Sequence, residues 1–352
     1  MKTFCSSVLV AIFALLLIGP STAAAQEDAP AAYFSFIINV HDWIRGDESA
    51  AVISRLIDLF EAYGVRGDFY LTAPVAQYYA DNHPDVVEKL CASDMTISYH
   101  VRPPHPLNQG FDASLRGLHG RALYEAIYAA ETQALDLTTG ELIPDQVGGY
   151  RYVAQLCGRN PVALGIPNNN PEIRSTALQV YTDLGAQMII DEHETGAPLE
   201  RVGELWSRPS DFSITRWTVP GVNEPLFWWE MLNQDRADAY DPVAYLNAQL
   251  NAWTPTADRP AYITALIHEE NFYWRGGTPW DGIYLEVTGP NQRRPLRPPF
   301  DLSAEPTAGA WRSDENQALI WQTYEVLVAR VTYDPTLRVV TSEDIIALAE
   351  GG

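Results

Sequence analysis

The chain has 352 residues and a formal charge of −22, with 45 acidic side chains set against 23 basic ones. That balance argues against a nucleic-acid or anionic-membrane partner, since both demand clustered positive charge. Lys2 and Lys89 are the only lysines, and the acidic surface is read as a solubility feature without catalytic weight.

The chain opens with MKTFCSSVLVAIFALLLIGPSTAAA, one lysine before an apolar run that ends in small residues. This is the layout of a secretory signal peptide, residues 1–25, cleaved before Gln26. The run falls short of the roughly 20 apolar residues of a membrane span. No later stretch is long and apolar enough to cross a bilayer, so the mature chain is expected to be soluble and secreted or periplasmic. Cys5 leaves with the signal. Cys91 and Cys157 remain, without the C-x-x-C spacing of a zinc knuckle. An oxidising compartment lets them pair if the fold brings them close enough.

Residues 26–352 contain no low-complexity linker and no internal repeat, which predicts one domain. AYFSFIINVHDW reads as a buried strand, and ESAAVISRLIDLFEAYGV carries apolar residues at helical spacing up to Gly64. GDFYLTA, MTISYH, GGYRYV, AQMIIDE, AYITALIH and LRVVTS read as further strands. HPDVVEKLCAS, PEIRSTALQVYTDLG and ENQALIWQTYEVLVARV read as helices between them. The alternation predicts a parallel α/β architecture. A barrel fits better than an open sheet, because no glycine-rich phosphate turn follows the first strand.

Polar residues gather where these strands end. His41 and Asp42 close the first, His100 the third, Asp191 and His193 a later one, and His268, Glu269 and Glu270 the late one, while Arg151 falls in GGYRYV. In a barrel of parallel strands the C-terminal ends share one face, and that face holds the active site. The stretch ISYHVRPPHP adds His105 five positions after His100, and its two prolines stiffen the loop between the imidazoles. Asp42, His100 and His105 offer one carboxylate and two imidazoles, the donor types of a catalytic zinc with an open position. Trp228 and Trp229 in FWWE and Trp274 in NFYWRGGTPW offer flat rings suited to stacking on sugars, or to core packing.

The run GVRGDFYLTAPVAQYYADNHPDVVEKLCASDMTISYHVRPPHP resembles the polysaccharide deacetylase family, the NodB-like carbohydrate esterases. It follows that family's Gly-Val-x-x-Thr-Phe-Phe, His-Pro-x-x-Val and Gly-His-Glu-Ile-x-x-His-Thr-x-x-His-Pro in order and spacing. Weaker matches are NVHDW, GYRYV, ALIHEEN and LRVVTSEDIIALA. The resemblance implies a distorted (β/α)7 TIM-like barrel and a divalent metal ion, zinc first, with cobalt, nickel or manganese as alternatives. It implies a carbohydrate partner whose N- or O-acetyl groups are hydrolysed. Carried over, Asp42, His100 and His105 are metal ligands, Arg151 orients the catalytic base, and His268 is the general acid. The family's first aspartate is His41 here, either base or ligand. The two histidines stand one residue further apart than usual, and the arginine motif lacks its proline. Asp191 and Glu269 are further candidates for the base. Other readings are a metal hydrolase of the same barrel acting on another C–N or C–O bond, and a carbohydrate-binding barrel with impaired catalysis.

Overall fold

The computed structural model describes residues 30–190, 198–214, 216–217, 226–227, 241–252, 259–275, 277–289, 292–305 and 309–351. The first strand, β1 (Ala32–Val40), is buried along nearly its whole length. Successive strand side chains face opposite sides, and here both sides are covered. Phe34, Phe36, Ile38 and Val40 enter the large apolar core under the helices, whereas Ile37 joins a separate cluster with Tyr70, Met188 and Leu266. The smaller cluster fills the inside of a barrel and the larger one its shell. Truncating a shell residue such as Phe36 to alanine would cost about 3–5 kcal/mol.

Helix α1 (Gly46–Tyr63) follows, with Asp47 and Glu48 in its first turn. Gly64 ends it in the left-handed region at φ 64°, returning its N–H to Phe60 and Glu61 carbonyls. Next come β2 (Asp68–Leu71), α2 (Ala73–Asn82), α3 (Pro84–Ala92) and β3 (Thr96–Tyr99). Then α4 (Gly120–Ala130) leads into a hairpin of β4 (Gln133–Leu135) and β5 (Leu142–Val147). The chain continues with α5 (Gly149–Leu156), β6 (Ala163–Gly165), α6 (Pro171–Leu184), β7 (Met188–Ile190), β8 (Arg201–Val202), β9 (Leu205–Ser207) and β10 (Phe212–Ser213). A short antiparallel pair, β11 (Arg216–Trp217) and β12 (Leu226–Phe227), the helix Pro242–Ala252 and β13 (Ala261–His268) come after it.

The main sheet has ten strands in the order β10-β13-β1-β2-β3-β6-β7-β9-β8, with the strand Leu337–Val339 added on β1. Its neighbours run parallel except for the β8–β9 pair. The sheet curls into the distorted TIM-like barrel that the alternating sequence pattern predicts. Among the described residues no helix is long and apolar enough to cross a membrane.

Two local readings of the sequence change. GGYRYV is not a strand: it starts α5, and its buried Tyr150 and Val153 lie three apart, on one helical face. The aromatic run suggested a strand, but Gly148 and Gly149 set the turn instead. Gly149 takes φ 54°, and a Cβ on Gly148 would lie 2.3 Å from the Ala134 Cα, so the helix starts against the hairpin backbone. The cysteines do pair: Cys91, late in α3, bonds Cys157 just after α5.

Candidate functional site

Parallel register fixes the site. Val40 pairs with Leu71, Leu71 with Tyr99, and Asn39 with His268, so β1, β2, β3 and β13 end at one level. His41 and His100 leave the sheet immediately past those ends, and His268 stands at the last position of its strand. The His41 ring lies 4.7 Å from that of His268 and 6.1 Å from that of His100, centroid to centroid. Strand-end position thus brings three imidazoles from distant parts of the sequence together. Asp191 and His193 lie outside the described residues, as do Trp228 and Trp229.

The turn after β1 is held by carboxylates. Asp42 Oδ1 accepts the amides of Ile44 and Arg45 at 3.1 and 2.9 Å, and Oδ2 accepts the Arg45 guanidinium at 3.0 Å and the Tyr273 hydroxyl at 2.8 Å. Burial pushes the Asp42 carboxyl up and Arg45 draws it back. Glu269, fully buried, accepts the amides of both His41 and Asp42 and the Ser49 hydroxyl. Burial and the neighbouring carboxylates Glu270 and Asp42 push Glu269 well above the usual carboxylate range.

Glu270 bridges two imidazoles. His41 Nε2 is 3.0 Å from its Oε2, and His268 Nδ1 is 3.2 Å from its Oε1. His41, His268 and Glu270 form a group whose donor atoms all lie within 4.8 Å of one another. Two imidazoles and a carboxylate are the donor set of catalytic zinc sites that keep one position open. A ligand imidazole must be neutral and a ligand carboxylate ionised. Burial lowers His41 to about 3, against the pull of Glu270. Glu270 lies well below its ordinary value, because His41 and His268 outweigh the burial that opposes its charge. Two buried atoms beside the group, His41 Nδ1 and Glu269 Oε2, have no hydrogen-bond partner among the described residues, the mark of a place where water or an ion belongs. The residues present therefore fit a divalent ion.

This group differs from the predicted triad of Asp42, His100 and His105. Both oxygens of Asp42 are taken by Arg45, Tyr273 and backbone amides, so its carboxylate serves the turn. His105 lines the smaller cavity with His100; its Nδ1 accepts the Leu107 amide at 3.1 Å, and its Nε2 lies 3.3 Å from Glu131 Oε1. Glu131 is itself buried and accepts the Tyr181 hydroxyl at 2.6 Å and the Tyr150 amide at 3.0 Å. Arg151 sits on α5 and donates to the Tyr128 hydroxyl at 2.7 Å, in contact with neither His41 nor Asp42. Trp274 is buried under the Arg45 guanidinium, 3.5 Å from its ring centroid, with Trp311 on its other side. Trp280, which the sequence did not single out by itself, packs edge-on against His41 at 4.8 Å. Its only sequence signal is membership of the aromatic run after β13.

Two cavities open at this end of the barrel. A cleft of about 490 Å³ is lined by His100, His268 and Trp280, with Asn108, Gln109, Asn169 and Arg174 around it. A smaller cavity of about 140 Å³ lies beside it, and His100 and Arg102 line both.

No family model and no curated protein matches this sequence. Solved structures overlap it in shape. An allantoinase, PuuE, does so at TM-score 0.48 and 11% identity, over 92% of this chain and 91% of its own. A 4-alpha-glucanotransferase from Thermococcus litoralis does so at TM-score 0.48 and 12% identity, over 90% of this chain and 40% of its own. A protein described as a polysaccharide deacetylase, from Mycobacterium smegmatis, does so at TM-score 0.45 and 12% identity, over 92% of each chain. The activity of this chain has to be read from its own residues.

Proposed function

We propose that the protein is a secreted metal-dependent hydrolase that removes acyl groups, acetyl in the first instance, from N- or O-acylated carbohydrate. The observation that carries the reading is the His41, His268 and Glu270 group at the C-terminal mouth of the barrel. These three residues would hold the ion. A divalent ion there supplies Lewis acidity, polarising a carbonyl and making water acidic enough to attack near neutral pH.

The protein's own residues do the remaining work. Glu270 fixes the orientation of both imidazoles, and Glu269 anchors the backbone from which His41 and Asp42 project. The cleft beside His268 and Trp280 seats the sugar. Asn108, Gln109 and Asn169 supply hydrogen bonds for its hydroxyls, and the Trp280 ring supplies a face for stacking. In the hydrolysis a water oxygen bonds to the carbonyl carbon, the C–N or C–O bond breaks, and the leaving atom takes a proton. With His268 in the donor set, His100 is the imidazole on the cleft wall placed to deliver that proton. Asp191 remains the candidate base, from its position just past β7. Export is supported by the leader sequence and by the Cys91–Cys157 bond, which suits an oxidising compartment.

The test is turnover of acetylated sugar oligomers by the mature protein, with zinc, after chelation and after zinc is restored. Loss and recovery of activity, with Glu270→Gln lacking both ion and activity, is the expected result. A protein that binds no divalent ion under any of these conditions would sink the proposal.

A further inference from the structure

The cavity of about 140 Å³ on the far side of His100 is mostly apolar. Trp43, Pro104, Leu135, Leu137 and Val147 face it, and four of its walls come from different parts of the chain. The turn after β1 gives Trp43, the loop after His100 gives Pro104, the β4–β5 hairpin and the start of α5 give two more, and the start of α2, Thr72 to Gln77, adds a further wall. The hairpin presses on α5 at Gly148, which fixes the distance between those two walls.

This cavity adjoins the cleft. His100 and Arg102 line both it and the sugar cleft. Trp43 lies 5.8 Å from Trp280, which itself packs on His41. A carbonyl carbon held near His41 and His268 would therefore have the cleft on one side and the apolar cavity on the other. The cleft is the polar, roomier half and suits the sugar. What enters the smaller half is the other substituent of the carbonyl.

We infer that the cavity is an acyl pocket, and that the preferred substrates carry an aromatic or branched acyl group about the size of a benzene ring rather than an acetyl. The inference rests on the hydrolase reading above and names its substrate class. Size decides it: an apolar cavity of about 150 Å³ is known to hold one benzene. An acetyl group offers a single methyl and would leave most of the wall bare. Each further buried methylene is worth about four-fold in binding. A benzoyl or branched five-carbon acyl group should therefore gain on the order of 10²-fold in kcat/KM over acetyl on the same sugar.

The experiment compares N-acetyl, N-butyryl and N-benzoyl glucosamine oligomers, and the matching O-esters, in the zinc-loaded mature protein. The expected result is kcat/KM rising along the series. Leu135→Trp, which fills the pocket, should remove the gain of the larger acyl groups over acetyl. Binding of toluene, followed by its shift of the melting temperature, should occur in the wild type and be lost in Leu135→Trp. Turnover of acetyl substrates with no gain for butyryl or benzoyl in the wild type overturns the acyl pocket and leaves the hydrolase reading intact; this arm needs no variant to fold. Absence of turnover on every substrate defeats the hydrolase reading, and the acyl assignment with it, even where toluene binds.

Discussion

The barrel buries charge in two places, and it does so differently. In one, Asp68 at the start of β2 meets the Arg208 guanidinium at 2.7 Å, both almost wholly excluded from water. Ser342 completes the set, its hydroxyl accepting from Arg208 at 2.6 Å and its amide donating to Asp68 at 3.1 Å. One negative charge faces one positive charge. Beside His41, Asp42, Glu269 and Glu270 crowd together, and Arg45 pairs with Asp42. Burial keeps His41 neutral. Buried charge is tolerated only when it is compensated. The Asp68–Arg208 pair compensates itself, whereas the carboxylates beside His41 form a group that a divalent cation could complete.

The comparison can be broken in four ways. The largest effect belongs to His41→Ala, which removes one donor of the ion-binding group. It should abolish ion binding and lower turnover by ~10²–10⁴ or more. Elemental analysis beside kinetics checks it, and an ion retained at full occupancy would take His41 out of the donor set and return it to the role of base. Asp68→Ala comes next. It leaves Arg208 buried without its partner and should cost about 3–5 kcal/mol in denaturant unfolding while the ion content per chain stays the same. A cost below about 1 kcal/mol would mean that Asp68 and Arg208 are not the compensated pair described. Glu269→Gln probes the opposite expectation. The amide can still accept from the His41 and Asp42 backbone, so metal-free stability should hold or rise as a crowded acid is removed, while affinity for zinc falls ~10–100-fold. Calorimetric titration and thermal melts of the same samples separate the two. The smallest effect is Ser49→Ala. Its hydroxyl touches Glu269 and lies 2.6 Å from the Tyr79 hydroxyl, so its loss should cost about 1 kcal/mol, read from the melting curve.

Much of the scaffold was readable from the sequence because short continuous apolar runs and helical spacing are local signals. β1, β13 and α1 announce themselves in this way, and their strand-end positions are what bring His41, His100 and His268 together. The candidate donor group was harder to read, because it depends on which oxygen bonds to what. Asp42 and Glu270 are both acids just past a strand, but Arg45 three residues after Asp42 pairs with the first, whereas the second meets His41 and His268. The Arg45 of HDWIR was visible as an i,i+3 cation, yet its choice of Asp42 depends on Tyr273 and Trp274 packing from the far side of the chain. His105 kept its family-like place in the sequence. Its partner Glu131 stands 26 residues later at the end of α4, a contact no spacing rule supplies. GGYRYV misled for a similar reason, since the aromatic run favours a strand and only the fit of Gly148 against the hairpin explains the helix.

The bond between Cys91 and Cys157 spans 66 positions of the chain, and that covalent ring contains His100, His105, the β4–β5 hairpin and the pocket wall at Gly148. A protease that cuts the exposed turn of the hairpin would open the backbone without freeing either piece. On a non-reducing gel the nicked protein would migrate with the intact chain, and only a reductant would reveal two fragments. A protein built in this way keeps His100 and the pocket attached to the rest of the barrel after a first cleavage.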